Sequence, residues 1–328
     1  MRKIRIAQIG MNRHSHGEEI FMALKNLTDV FEIVGYALVE DEREACAHRL
    51  SVFRGYPELT LDEVLNDPTI EAVVVETDEV HLNKYTQMAA EHGKHIHMEK
   101  PGSQSEADFT RLIETVRAGG RAFNIGYMYR YNPYISDAIA RARAGAFGEI
   151  YSVEAHMSRY DGEVVRRWLG NFRGGMMFYL GCHLVDLVLQ IQGVPDEILP
   201  LNCSIDPDGF GTEDYAMAVL KYKNGLSFVK TTAQETDGTM RRQLVITGSE
   251  GMIEIRPLEE WCPYPRLTAT RREHHKGGET VVETSAPTDR YENMLRAFAA
   301  MVRGELQNPY TLDYELMLFK TVLRCCGM

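Results

Sequence analysis

The chain has 328 residues, 44% of them hydrophobic and 25% charged, with a net charge of −11. That length exceeds what one hydrophobic core usually spans, so two domains are expected. The acidic balance argues against nucleic acid as a main partner, and no apolar run approaches the length of a membrane span. The start, Met1-Arg-Lys-Ile-Arg, leads straight into a strand-like run instead of an apolar signal core, so a cytoplasmic protein is expected. The six cysteines are scattered and form no spaced CxxC pair, which suggests neither a zinc site nor a disulfide framework.

In chain order, residues 4–9 read as a buried strand, 18–27 as a helix, 31–39 as a strand and 42–50 as a helix. A short helix at 61–65, a strand at 72–75, a helix at 82–92 and a strand at 94–98 follow, then a helix at 108–118 and a strand at 122–126. Strands alternating with helices predict a doubly wound parallel α/β sheet. After Tyr127 the pattern changes to a helix at 134–144, a long strand at 148–159 and a helix at 176–190 that is apolar nearly all round. Strands at 215–222 and 226–233 flank Asn224-Gly225, a two-residue hairpin signal, and strands at 243–247 and 252–256 flank a second turn at 248–251. Helical spacing recurs at Tyr291, Leu295, Phe298 and Val302, with Gly304 as a stop, and a last helix runs from 313 toward 324. The expected domains are therefore 1–126, dinucleotide-binding, and 127–328, an α+β domain with an open, mainly antiparallel sheet.

The loop after the first strand is Gly10-Met-Asn-Arg-His-Ser-His-Gly17. A dinucleotide fingerprint needs a glycine for the turn, a second for close pyrophosphate approach and a third small residue for packing. Gly10 fits the first place, Asn12 replaces the second glycine and Ser15 the third; Asn visits the left-handed region at modest cost. Arg13, His14 and His16 add positive charge near a helix N-terminus. An ordinary polar turn explains the same residues. At the end of the second strand Leu38 holds the natural place of a ribose-binding acid, with Glu40 and Asp41 just beyond. Either Glu40 reaches the ribose, favouring NAD over NADP, or Glu40 and Asp41 are a solvated turn.

Three later segments are more specific: Gly93-Lys-His-Ile-His-Met-Glu-Lys-Pro101, Gly126-Tyr-Met-Tyr-Arg-Tyr-Asn-Pro133, and Gly174-Gly-Met-Met-Phe-Tyr-Leu-Gly-Cys-His183-Leu-Val-Asp186. In this order and at these intervals they resemble the Gfo/Idh/MocA family, the glucose–fructose oxidoreductase and inositol dehydrogenase group, across essentially the whole chain. The resemblance implies a Rossmann domain and a second domain whose large sheet serves in homodimer or homotetramer contacts. It also implies NAD(P)-dependent oxidation of a sugar, cyclitol or related polyol, or the reverse reduction. Lys100 matches the lysine of the family's Glu-Lys-Pro motif, with Glu99 before it; a neighbouring nicotinamide cation would favour its neutral form and let it exchange a proton with the substrate hydroxyl. His183 matches the family's helix histidine, and Tyr179 stands where many members carry an aspartate. As an i, i+4 pair the two would share a helix face and meet the substrate together. Thr77 and His81 match a Thr-Pro-x-x-x-His loop along the cofactor, with Asp78 in the proline's place. Arg130 and Asn132 would line the substrate cleft, or respectively pair with an acid and cap a helix; Arg167 and Trp168 match a substrate-facing segment. His95 and His97, alternating on a strand, read as structural, and no metal is expected.

Two further functions fit this sequence. One is a hydrolase or lyase using NAD transiently on one sugar; the other is a non-catalytic dinucleotide sensor, favoured by the altered glycine loop and by Tyr179.

Overall fold

The structure, a computed structural model, describes residues 2–205 and 209–328. It comprises two compact units, Met1–Gly126 with Tyr291–Met317, and Tyr127–Arg290 with Leu318–Met328.

The first unit runs β1 (Ile4–Ile9), α1 (Gly17–Asn26), β2 (Phe31–Ala37), α2 (Glu42–Ala45), α3 (Leu61–Asn66), β3 (Ala72–Val75), α4 (Leu82–Glu91), β4 (His95–Met98), α5 (Glu106–Gly119) and β5 (Phe123–Ile125). Among the described residues its strands form one five-stranded parallel sheet in the order β2-β1-β3-β4-β5. Every residue of β3 is buried, the pattern of a strand covered on both faces. The chain enters mid-sheet at β1, moves out to β2 and returns on the other side at β3. The switch point, where ligands settle in such sheets, therefore lies past the C-terminal ends of β1 and β3. Gly10 follows the first of these strands and Thr77 the second.

Two expectations change here. The helix expected at 42–50 is a single turn, followed by a 3₁₀ turn at Leu50–Phe53. Tertiary packing overrides the helical period: Phe53 packs edge-on against Phe21 at 4.6 Å and stacks on Tyr36 at 3.8 Å, in a cluster with Met11 and Cys46. The segment Tyr291–Met317 belongs to the first unit, not to the second domain as its place in the chain implied. Its helix Glu292–Val302 and flanking residues are tied there by Tyr291 Oη to His16 Nδ1 (2.7 Å), Arg296 to Asp29 (2.8 Å) and Asn308 to the Phe123 carbonyl (2.8 Å).

The second unit holds α6 (Pro133–Arg143), β6 (Ile150–His156), α7 (Glu163–Leu169), α8 (Cys182–Gln192), β7 (Glu197–Pro200), β8 (Tyr215–Tyr222), β9 (Gly225–Thr232), β10 (Gln243–Gly248), β11 (Gly251–Ile255), β12 (Glu260–Trp261), β13 (Arg266–Thr268), β14 (Thr270–His275), β15 (Thr280–Thr284) and β16 (Thr288–Asp289). Among the described residues, eight strands form one sheet in the order β15-β14-β11-β10-β6-β9-β8-β7, antiparallel except where β6 meets β9. β12, β13 and β16 form a small separate sheet. The buried helix α8 packs against β6 and β9 on one face, leaving the other face partly exposed. The hairpin turn is Lys223-Asn224, one residue earlier than expected, because Tyr222 pairs with Gly225. Gly225 is required for close approach: a Cβ there would sit 2.0 Å from the Tyr151 carbonyl oxygen. Among the described residues, no helix is long and apolar enough to cross a membrane.

Candidate active site

The turn after β1 has the backbone a dinucleotide needs. Gly10 lies at φ +86°, and a Cβ there would stand 2.9 Å from the Thr77 backbone, so only glycine fits. Asn12 takes the left-handed conformation at φ 60°. Its Oδ1 accepts from the amides of His14 and Ser15 (both 2.8 Å), while its Nδ2 donates to the Thr77 carbonyl (3.0 Å) and to Glu79 (3.2 Å). The Arg13 amide donates to Asp78 (3.0 Å), and the Arg13 guanidinium is clamped between Asp78 and Asp41. Arg49 fixes the loop from behind through the carbonyls of Asn12 (2.9 Å) and Ser15 (2.8 Å). In backbone course and position this turn fits a nicotinamide dinucleotide; its side chains depart from the usual set at Asn12, Leu38 and Asp78.

Glu40, also at a positive φ of 51°, receives Lys84 Nζ (2.7 Å) and Tyr85 Oη (2.8 Å), with His81 Nδ1 3.6 Å away at the start of α4. The hydrogen bond from Lys84 is the main reason its carboxyl is held below the usual range. Leu38 packs instead against the apolar cluster of Met11 and Cys46.

Lys100 follows β4 and is wholly buried, its Nζ 3.3 Å from Glu99 Oε1, and Ser15 Oγ donates to the same Glu99 carboxylate (2.5 Å). A hydrogen bond from Ser15 and an ion pair to Lys100 thus link the glycine turn through Glu99 to Lys100. Around it the run Glu76-Thr77-Asp78-Glu79 is entirely buried. Burial pushes the Glu79 carboxyl up to about 7, against the pull of Lys100 and with the help of Glu99. Glu76 is raised well above the usual range for the same first reason, and its Oε1 lies 3.9 Å from His97 Nε2. His97 is fully buried beside Phe298, and its imidazole is lowered to about 4 by burial; His95 Nδ1 accepts the Ala122 amide (2.9 Å). Among the described residues no three ligating side chains are arranged around a metal position.

In the second unit, Tyr179 sits in a π-helical turn, Met177–Gly181, that precedes α8. Such wide turns interrupt helices mostly where function or strain requires it. Tyr179 packs edge-on against Trp168 at 5.0 Å, whereas His183 is flanked by Tyr127 (5.6 Å) and Tyr129 (5.7 Å). The π-helical turn stands where the i, i+4 spacing of Tyr179 and His183 predicted an uninterrupted α-helix. Arg130 is buried in a two-pronged ion pair with Asp186 (2.9 and 3.0 Å) and lies over the Tyr127 ring, so its charge is committed within the unit. Asn132 caps α6, its Oδ1 accepting the Tyr134 amide (3.0 Å). Of the last pair, Trp168 is buried against Phe172 and Tyr179, while Arg167 is exposed, paired with Glu163 and stacked over Phe210.

Sequence reasoning passed over Glu76 and Glu79 and saw Asp78 only as a missing proline. The available signal was three acids within four residues directly after an all-apolar strand, at the ligand-facing edge of a parallel sheet.

A family model described as "Oxidoreductase family, NAD-binding Rossmann fold" matches residues 4–127, and a "GFO/IDH/MocA C-terminal domain" model matches residues 136–254. A scyllo-inositol 2-dehydrogenase (NAD(+)) of Bacillus subtilis is 30% identical over 260 residues, which is 77% of this chain and 74% of that protein. A D-xylose 1-dehydrogenase (NADP(+)) 2 of Haloferax volcanii is 24% identical over 80% of this chain and 78% of its own length. Among solved structures, an aldose-aldose oxidoreductase from Caulobacter crescentus matches with a TM-score of 0.82 at 18% identity, over 99% of this chain and 98% of that one, a likeness of fold.

Proposed function

Because the chain belongs to the GFO/IDH/MocA oxidoreductase family and carries that family's NAD-binding Rossmann domain, we propose that it is a dehydrogenase or reductase of a sugar, cyclitol or related polyol, with Lys100 carrying the proton. The bound nicotinamide supplies the hydride acceptor or donor. Every other task falls to the protein. Gly10, Asn12, Arg13 and His14 receive the pyrophosphate, and Thr77, His81 and Glu99 lie along the rest of the dinucleotide. Glu40, with Asp41 beside it, makes NAD the better fit, since carboxylates repel a 2′-phosphate; NADP stays open as a test.

In the oxidation direction Lys100 accepts the substrate hydroxyl's proton, directly or through a water, while His183 and Tyr179 orient that hydroxyl. Asn132, Arg167 and Trp168 contribute to holding the substrate; Arg130, anchored on Asp186, acts by fixing the Tyr127 ring that lies edge-on to His183. The observation that carries this reading is the buried Lys100 at the C-terminal edge of the parallel sheet, joined through Glu99 to Ser15 of the glycine turn. The same reading has the chain working as a homodimer or homotetramer. Its support is the outer face of the large sheet, where Val219, Phe228, Glu154 and Val245 fall in one cross-strand row, all partly exposed.

Calorimetric titration with NAD and with NADP, then a panel of polyols and sugar acids followed by the near-ultraviolet absorbance of reduced nicotinamide, tests the proposal. Saturable binding with substrate-dependent absorbance change is expected. Binding without turnover on the whole panel would point to a sensor, and product without net absorbance change to a hydrolase or lyase.

A further inference from the structure

The backbone of the turn between β1 and α1 is where a dinucleotide fingerprint lets a pyrophosphate approach, and in this chain the amides of that turn are held by its own side chains. The His14 and Ser15 amides donate to Asn12 Oδ1, and the Arg13 amide donates to Asp78 Oδ1. The nearest loop cation, Arg13, is also spent, held by Asp78 on one side and Asp41 on the other. Asp78 is buried, its side chain 5% exposed, which marks this contact as part of the packed loop and not a surface encounter. Glu79 adds a second carboxyl on Asn12 Nδ2. Asp78 thus holds a turn amide that an arriving phosphate would need, with Glu79 next to it on the Asn12 side chain.

We propose that Asp78 is an internal occupant of the pyrophosphate position, which the cofactor must displace from the Arg13 amide and guanidinium in order to bind. It is an affinity-determining residue: it stabilises the loop without ligand and weakens dinucleotide binding in proportion. The inference rests on the dinucleotide reading above and adds the competition between a carboxylate of the chain and the phosphates of the cofactor. Neither Asp41, which is two-thirds exposed, nor Glu40, engaged with Lys84 and Tyr85, can take this role, because neither reaches a loop amide.

The test is calorimetric titration of the full chain with NAD and with NADP for the wild type, Asp78→Asn and Asp78→Ala, with melting temperatures recorded without ligand. Asn keeps the shape and loses the charge; Ala removes both. The expected result is a Kd lower by about tenfold or more in both variants, together with a lower unliganded melting temperature for Asp78→Ala. A purely structural role for Asp78 would not tighten binding. Unchanged or weaker affinity in both variants, with the wild type binding measurably, overturns the proposal and leaves the dinucleotide reading intact. Absence of binding to either nucleotide in all three proteins overturns both.

Discussion

Arg130 and Asp186 illustrate how burial decides what a charged residue is for. Their side chains are 0% and 1% exposed and meet in a two-pronged pair, with Gln190 Nε2 also donating to Asp186 (2.9 Å). A buried ion pair gains little over a well-packed apolar pair, yet removing one partner strands the other charge. Asp186→Ala is therefore expected to cost about 3–5 kcal/mol in unfolding free energy, while replacing both partners by Met and Leu costs much less. Denaturant unfolding of the three proteins checks this; equal losses for the single and double variants would contradict it. The sequence offered both readings of Arg130 and nothing in it chose between them, because the partner lies 56 positions away. Lys100 was legible because its neighbours in the chain, a short apolar strand before it and a proline after it, fix its place at a strand end.

At the level of elements, the loop after β3 connects burial to pH. Glu79 has its carboxyl pushed up to about 7 from an ordinary 4.5, so between those values the folded chain holds a proton that the unfolded chain has released. This group's contribution to stability is fully present below about pH 4.5 and is lost as pH rises through about 7. Glu76 acts in the same direction, whereas His97, lowered to about 4, favours the fold as pH rises through about 4 to 6.5. Glu79→Gln isolates the first effect by fixing the uncharged form. Its melting temperature relative to the wild type is expected to climb between pH 5 and pH 8, by roughly 2–4 °C for each kcal/mol recovered; a difference that stays flat across that range would contradict the assignment. Strand β3 was read to the residue because buried parallel strands are continuous apolar runs. The acids that follow were not, since acids after a strand ordinarily sit in water and only the folded loop reveals their enclosure. The π-helical turn before α8 was equally hidden, because its apolar residues suit either winding.

For the whole molecule, the two-part fold follows from the change of pattern at Tyr127, but the return of Tyr291–Met317 to the first unit does not. Helical spacing in that segment says which face is apolar and not which surface receives it. The large sheet gives the clearest molecular prediction: Phe228→Glu, on the partly exposed outer face, is expected to reduce the proposed homo-oligomer to monomers by light scattering while leaving the far-ultraviolet dichroism unchanged. A wild-type chain that is already monomeric would remove that proposal without touching the chemistry. The proposed chemistry depends on Lys100, and the most direct measurement is the turnover of Lys100→Met alongside its affinity for NAD. The account predicts near-normal cofactor binding with turnover reduced about 10²- to 10⁴-fold; turnover at the wild-type level would contradict it.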